Sequence, residues 1–143
     1  MPNVNKSLIV PYSARQMFDL VNAVADYPEF LPWCKASQIQ NQNGSELSAS
    51  LTLAKGGIEK TFTTRNRLHP PKMIEVKLLD GPFRHLEGFW QFEELSPSSC
   101  KISLNLEFEF SSKLLGMAFG SVFQQVMQSL INAFMERAKQ VYG

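Results

Sequence analysis

Few side chains in this sequence combine the type and the spacing that chemistry requires. Glu107 and Glu109 lie two residues apart, so in a strand both carboxylates would project from one face, as an acid and base pair could. The positions between and around them are apolar, which makes the glutamate face the wet one and a poor place for catalysis. His69 precedes two prolines and His85 follows an arginine, and neither has a sequence neighbour that indicates a nucleophile or a metal pair. The sequence therefore predicts no catalytic residue and no metal site.

The cysteines and the N-terminus bear on the cellular compartment. Cys34 and Cys100 are far apart and lack the C-x-x-C spacing of a zinc site or a redox dithiol. Residues 1–6 are polar and lack the apolar core of a signal peptide, and no uninterrupted apolar run approaches the length of a membrane span. We expect a reduced, soluble, cytoplasmic protein.

Positive charge is concentrated in the middle of the chain. The net charge is only +1, yet the segment from Lys55 to His85 carries seven Lys or Arg against three acids. If the strands of this segment lie side by side, one surface is polarised, which hints at an anionic partner such as RNA or lipid headgroups. Ordinary solvated strand faces are the alternative explanation.

The C-terminal residues predict one long helix. From Ser112 to Tyr142, apolar residues recur at steps of three and four, which places them on one helical face. At about 1.5 Å per residue the helix is roughly 40 Å long, enough to lie across a small domain.

The start of the chain predicts a strand followed by two short helices. Asn3 to Val10 has strand character and is followed by a proline, Ser13 is a good N-cap, and Ala14 to Val24 has helical spacing. Asp26 to Pro32 predicts a second short helical turn closed by proline.

From Trp33 onward the period changes to two, which predicts a series of strands. The clearest alternating runs are Leu47–Leu53, Ile58–Leu68, Ile74–Leu78, Leu86–Phe92 and Ile102–Phe110. Hairpin-length turns make the sheet antiparallel. With no repeat and no linker, residues 1–143 form a single α+β domain, a curved sheet of about six to seven strands around the long C-terminal helix.

Several motifs together resemble a known family. They are VPYSA at 10–14, MFDLV at 17–21, DYPEFLPWC at 26–34, FTTRN at 62–66, DGPFR at 80–84, LEG at 86–88 and FEF at 108–110. In order and spacing they resemble the coenzyme Q-binding START-like family, of the polyketide cyclase-like (SRPBCC) superfamily. The resemblance covers nearly the whole chain.

The resemblance implies a helix-grip fold with an elongated apolar tunnel and non-enzymatic binding of ubiquinone or a similar polyisoprenoid, in support of respiration. Ubiquinone is then a ligand rather than a required cofactor. The family's bacterial branch, ribosome association toxins of toxin-antitoxin systems, is described as binding the large ribosomal subunit and blocking subunit joining, which is the alternative function. START-like folds also include polyketide cyclases, so an enzyme remains a third interpretation. We expect no DNA partner, a cytoplasmic location, and transient contact with a membrane surface.

Candidate ligand-binding residues follow from the predicted strand and helix faces, although each could equally be solid core. The predicted tunnel wall consists of Phe62, Trp90, Leu104, Leu106 and Phe108 from the sheet with Phe119, Phe123, Met127 and Leu130 from the helix. Three large apolar residues in predicted loops, where packing gives them less reason to be, are assigned to the mouth: Phe30, Trp33 and Phe83. The candidate contacts to ribosomal RNA phosphates are Lys55, Lys60, Arg65, Arg67 and Arg84.

Overall fold

The fold, taken from a computed structural model that describes residues 2–143, is a single antiparallel sheet gripping a long helix. Its strands are β1 (Asn3–Val10), β2 (Cys34–Asn43), β3 (Glu46–Lys55), β4 (Ile58–His69), β5 (Met73–Asp80), β6 (Phe83–Ser96) and β7 (Ser99–Phe110). They are ordered β1-β7-β6-β5-β4-β3-β2, so each hairpin neighbour pairs in turn and β1 adds at the β7 edge. The helices are α1 (Ala14–Asn22), a 3₁₀ helix (Val24–Glu29) and α2 (Lys113–Tyr142). The predicted α+β helix-grip architecture is confirmed.

Helix α1 begins where the sequence predicted and ends two residues earlier. The Ser13 hydroxyl accepts a hydrogen bond of 3.1 Å from the Gln16 backbone N–H, and the Gln16 side chain accepts one of 2.9 Å from the Ser13 N–H. This reciprocal capping box satisfies two of the donors that a helix start leaves free. At the other end the buried Tyr27 hydroxyl donates to the Val21 carbonyl, so the chain turns into the 3₁₀ helix instead of extending α1 to Val24.

One glycine allows a close approach between the two longest paired strands. A Cβ at Gly88 on β6 would lie 2.0 Å from the Asn105 carbonyl oxygen and 2.8 Å from the Leu106 Cα on β7. Because these neighbours are backbone atoms, no side-chain adjustment could relieve the clash. Glycine is therefore required at this point of the sheet.

Helix α2 packs its apolar face against the concave side of the sheet. Phe123, Val126 and Phe134 are fully buried there, and the Ser112 hydroxyl caps the helix start by accepting from the Leu115 N–H at 3.1 Å. By length and composition α2 is also the one described helix that could cross a membrane, with 33% of its most apolar window buried in the fold. A core helix meets the same criteria.

Candidate functional site

An apolar cavity lies between the concave face of the sheet and α2. Its volume is about 80 Å³, and four side chains of α2 form one side of it: Phe123, Met127, Leu130 and Phe134. The 3₁₀ helix closes another side with two side chains, those of Val24 and Tyr27. Strands β3 to β7 and Trp33, which directly precedes β2, supply the rest of the wall.

The structure brings most of the predicted wall residues together around this cavity. Those that line it are Phe62, Trp90, Leu104, Leu106, Phe123, Met127 and Leu130, and Trp33, which was assigned to the mouth, lines it as well. Ligand-pocket volumes are typically about 300–1,000 Å³. The cavity is thus far smaller than the elongated tunnel that the family resemblance implies.

Three of the predicted ligand-binding residues lie instead in a solid aromatic cluster beside the cavity. Phe83 stacks on Phe110 with ring centroids 4.9 Å apart, Phe108 contacts Phe123 at 4.7 Å, and Phe119 contacts Phe110 at 5.5 Å. None of the three lines the cavity. They belong to the packed core, which was the alternative interpretation of these residues.

Two of the residues assigned to a loop mouth are placed differently by the structure. Phe83 is the first residue of β6, pairs with Phe110 on β7 and is 5% exposed, so its assignment to a loop mouth is wrong. The turn before it, at Gly81, is shorter than the sequence indicated. Trp33 is buried in the cavity wall rather than at a rim.

Phe30, the third mouth residue, follows the 3₁₀ helix and lies just outside the cavity wall. Its ring packs edge-on against Phe134 at 5.4 Å and against Tyr27 at 6.1 Å, and the Arg137 guanidinium lies over it at 4.8 Å. These contacts join the 3₁₀ helix to α2 directly beside two cavity residues.

The cavity wall contains polar groups that the sequence analysis did not select. Phe62, Thr64 and Asn66 lie on the same inner face of β4. Thr64 and Asn66 both line the cavity. The Thr64 hydroxyl donates to Asn66 Oδ1 at 2.9 Å, and this bond leaves the Asn66 amide N–H group directed to other partners. The signal was available in sequence, since two polar residues between Phe62 and Leu68 on one strand face are unusual for a packed core.

One of the wall residues, Trp33, contains a buried polar group without a partner among the described residues. The indole Nε1 of Trp33 is buried and makes no hydrogen bond with the described residues. A buried N–H without a partner costs about 1–3 kcal/mol relative to one that is satisfied. Tyr27, by contrast, uses its hydroxyl on the Val21 carbonyl, and burial raises the pKa of this hydroxyl further above its ordinary value. The wall residues are therefore mainly apolar, and the polar groups that they carry include the N–H groups of Trp33 and Asn66.

The predicted RNA-contacting residues do not form one patch. Arg65 and Arg67 project from the outer face of β4 into a groove that also contains Lys77. Lys55 and Lys60 lie toward the opposite end of the β3–β4 hairpin, where Lys55 pairs with Ile58. Arg84 contacts Glu109 at 3.1 Å at the start of β6.

The outer groove carries both signs of charge. Glu75, Glu87 and Glu107 line it together with the three basic residues, and Arg67 forms an exposed ion pair of 3.2 Å with Glu46. The basic residues of the groove therefore lie on β4 and β5, where Glu75 is also located, and the other two acids lie on β6 and β7.

A family model and two similar proteins place this chain among known sequences. The model for polyketide cyclase / dehydrase and lipid transport matches residues 10–135. A ribosome association toxin named RatA from Vibrio cholerae is 50% identical over 143 residues, which is 100% of this chain and 99% of the relative. A mitochondrial coenzyme Q-binding protein named coq10 from Schizosaccharomyces pombe is 31% identical over 93% of this chain and 84% of its own.

The fold is also found among solved structures. The crystal structure of the Zhui aromatase/cyclase from a Streptomyces species superposes with a TM-score of 0.85 and 18% identity, over 97% of this chain and 94% of that one. At 18% sequence identity, this structural similarity shows a shared fold alone.

Proposed function

The chain belongs to the polyketide cyclase / dehydrase and lipid transport family, and we propose that it binds a hydrophobic small molecule, ubiquinone or a similar polyisoprenoid, between the sheet and α2. The family suits a hydrophobic-ligand binder, and the name of the coq10 relative supports a quinone as the ligand. Respiration is the process that such a ligand would serve.

The observation that carries the proposal is the pairing of an apolar wall with N–H donors. Quinone carbonyl oxygens accept hydrogen bonds, and Trp33 Nε1 and the Asn66 amide can donate them. A purely hydrocarbon ligand would leave the buried Trp33 N–H unsatisfied. The polyprenyl tail would supply most of the affinity, at about 0.8 kcal/mol for each buried CH₂ group.

Binding of a whole prenyl quinone requires the wall to open, since the cavity measures about 80 Å³. The contact between the 3₁₀ helix and α2 is a suitable place for opening. It consists of Phe30 and Tyr27 against Phe134, with an ion pair of 3.5 Å between Arg137 and Glu29 that is exposed on the glutamate side. Separation of the two elements therefore costs mainly aromatic packing, the contact of the Arg137 guanidinium with the Phe30 ring and this partly exposed ion pair.

We propose a binding role rather than an enzymatic one. Among the described residues that line the cavity, Tyr27 is the one titratable side chain, and its hydroxyl is engaged by the Val21 carbonyl. A tyrosine whose pKa is raised by burial is a poor general base near neutral pH.

Organic extraction of freshly purified protein, followed by mass spectrometry, tests the ligand. We expect a stoichiometric quinone or prenyl lipid in the extract, and a reduced amount from a Met127→Trp variant that fills the cavity. An extract no richer than that of an unrelated protein purified in parallel would refute the proposal.

We propose association with the large ribosomal subunit as a second function, because the name of the relative at 50% identity specifies ribosome association. The most suitable surface is the basic half of the outer groove, formed by Arg65, Arg67 and Lys77. Phosphate contacts of this kind make binding fall steeply with salt. A toxin that acts on ribosomes would work in the cytoplasm.

Cosedimentation with isolated large subunits tests this second function. We expect Arg65→Glu with Arg67→Glu to abolish cosedimentation without changing the extracted ligand. A variant with Arg15→Glu and Lys139→Glu changes the net charge equally at other exposed sites and should still bind. Equal binding by all three proteins would exclude the β4 surface.

A further inference from the structure

Three potential metal ligands meet on the outer face of the sheet, on the side opposite the cavity. His85 and Glu87 alternate along β6, and Glu107 lies directly opposite Glu87 on β7. Their ligand atoms all lie within 4.8 Å of one another. The sequence predicted no metal site at His85 because Glu107 belongs to a different strand, and only the register of β6 with β7 brings the two together.

His85 lies too far from either glutamate to form a hydrogen bond with it. His85 Nε2 lies 3.8 Å from a Glu87 carboxylate oxygen and 3.9 Å from a Glu107 carboxylate oxygen. Both separations exceed the range of an N–H···O hydrogen bond. Nε2 itself is shielded from solvent and has no hydrogen-bond partner among the described residues.

The other histidine shows the contrasting arrangement. His69 Nε2 lies 2.8 Å from a Glu75 oxygen, an ordinary hydrogen bond on the same outer face. One carboxylate therefore satisfies His69, whereas His85 Nε2 points between two carboxylates and is bonded to neither.

We propose that His85, Glu87 and Glu107 bind a divalent transition-metal ion such as Zn²⁺. Imidazole nitrogen and carboxylate oxygen are both ligands of Zn²⁺, at about 2.0–2.2 Å. Around a tetrahedral ion such ligands are about 3.4 Å apart, so the two separations from His85 need to close by about 0.5 Å. The two carboxylates, whose ligand atoms lie within 4.8 Å of each other, need to approach until they reach the same spacing. The side chains of Glu87 and Glu107 are 47% and 60% exposed, which leaves them free to make that adjustment.

The surrounding charges support the binding of a cation with moderate affinity. Two carboxylates balance the charge of the ion, and Glu109 lies opposite His85, although Arg84 already engages it at 3.1 Å. Lys77, opposite Glu87 on β5, opposes a cation, as do Arg65 and Arg67 in the same outer groove. With three protein ligands the ion would complete its coordination with water, as in open zinc sites.

Metal titration of tag-free, chelator-treated protein tests the site. We expect one Zn²⁺ per chain by calorimetry, and a visible ligand-field spectrum when Co²⁺ is used as the probe. His85→Ala and Glu87→Gln should each weaken binding at least 10-fold, whereas His69→Ala should bind as the unchanged protein does.

Two results would overturn the proposal. One is the lack of Zn²⁺ binding by the unchanged protein up to about 1 mM, and the other is equal binding by the unchanged protein, His85→Ala and Glu87→Gln. Should His85→Ala fail to fold by circular dichroism, Glu107→Gln is the substitute, since its near-isosteric amide preserves the exposed surface.

Discussion

The Thr64 hydroxyl donates a hydrogen bond of 2.9 Å to Oδ1 of Asn66, two residues farther along the same face of β4. This bond fixes the amide so that its oxygen is occupied and its nitrogen is available. Both residues line a cavity that is otherwise mainly apolar. The hydrogen bond therefore holds the Asn66 amide in one orientation, in which its N–H group is the part that can bind a ligand.

Asn66→Asp should weaken quinone binding. The carboxylate keeps the shape of the amide and still accepts from Thr64, but it replaces the N–H donor by an acceptor that repels a carbonyl oxygen. We expect at least a 10-fold loss of affinity for a soluble short-chain quinone, measured by quenching of tryptophan fluorescence. Unchanged affinity would show that the Asn66 amide does not contact the ligand.

Trp33→Phe and Trp90→Phe form a matched pair in the cavity wall. Both remove the same indole volume from a side chain that is 6% exposed, but the N–H that is fully buried without a hydrogen-bond partner is that of Trp33. We expect Trp33→Phe to lose more quinone affinity and less stability than Trp90→Phe, because removal of an unsatisfied donor offsets part of the lost packing. Urea unfolding and quinone titration of the two variants give the comparison. The reverse order in either measurement would contradict a donor role for Trp33.

Phe83→Ala should destabilise the protein without changing ligand preference. The ring contacts Phe110 at 4.9 Å, Phe123 at 5.0 Å and Phe62 at 5.8 Å within the aromatic cluster. Truncation of a buried phenylalanine costs about 3–5 kcal/mol. Urea unfolding measures the loss of stability. A loss below about 1 kcal/mol would indicate that Phe83 is exposed at a mouth, as predicted from sequence.

We expect the two buried thiols, Cys34 and Cys100, to make the protein less stable at alkaline pH. Burial raises the pKa of Cys34 and of Cys100 to about 11, from an ordinary value of 9.0. The folded state then retains these protons at pH values where the unfolded state releases them, so the free energy of unfolding falls as pH rises from about 9 to 11. Denaturant unfolding at pH 8 and pH 10.5 should show this fall, and Cys100→Ala should reduce it. An equal fall in Cys100→Ala would assign the effect to other groups.

Local sequence patterns predicted the elements whose limits are set by local interactions. The N-cap at Ser13, the strand Asn3–Val10 and the helix capped by Ser112 match the structure because caps, prolines and periodicity act within a few residues. The strand predicted over Leu86–Phe92 extends over Phe83–Ser96 instead. Its ends are held by pairing with β7, which is not visible in local alternation.

The candidate site was predictable to the extent that strand and helix faces were. Inward positions such as Phe62, Trp90 and Leu130 line the cavity, but which inward residues line it and which pack solidly depends on where α2 approaches the sheet. Phe108 and Phe119 lie on the predicted faces and still belong to the aromatic cluster. The contact of His85 with Glu107 likewise depends on the register between two strands.

For the transient membrane contact predicted from sequence, we propose the exposed start of α2 as the surface. Leu114 and Met117 lie one turn apart and are 76% and 75% exposed, Lys113 precedes them, and residues 114–135 contain no charged side chain. Apolar tips beside a basic residue favour an anionic bilayer surface, from which a prenyl lipid could be taken up.

Leu114→Gln with Met117→Gln should therefore reduce sedimentation with phosphatidylglycerol vesicles. Glutamine keeps helix propensity, so the fold is preserved while the apolar surface available for insertion is lost. Each side chain contributes up to about 1.5–3 kcal/mol when fully buried, so we expect at least a 10-fold drop in vesicle binding. A control variant with Ile9→Gln and Leu95→Gln removes two other exposed apolar side chains, which are 64% and 50% exposed, and should bind vesicles as the unchanged protein does. Equal loss in both variants would indicate general hydrophobic adsorption, and no loss in either would exclude the start of α2 as the membrane contact.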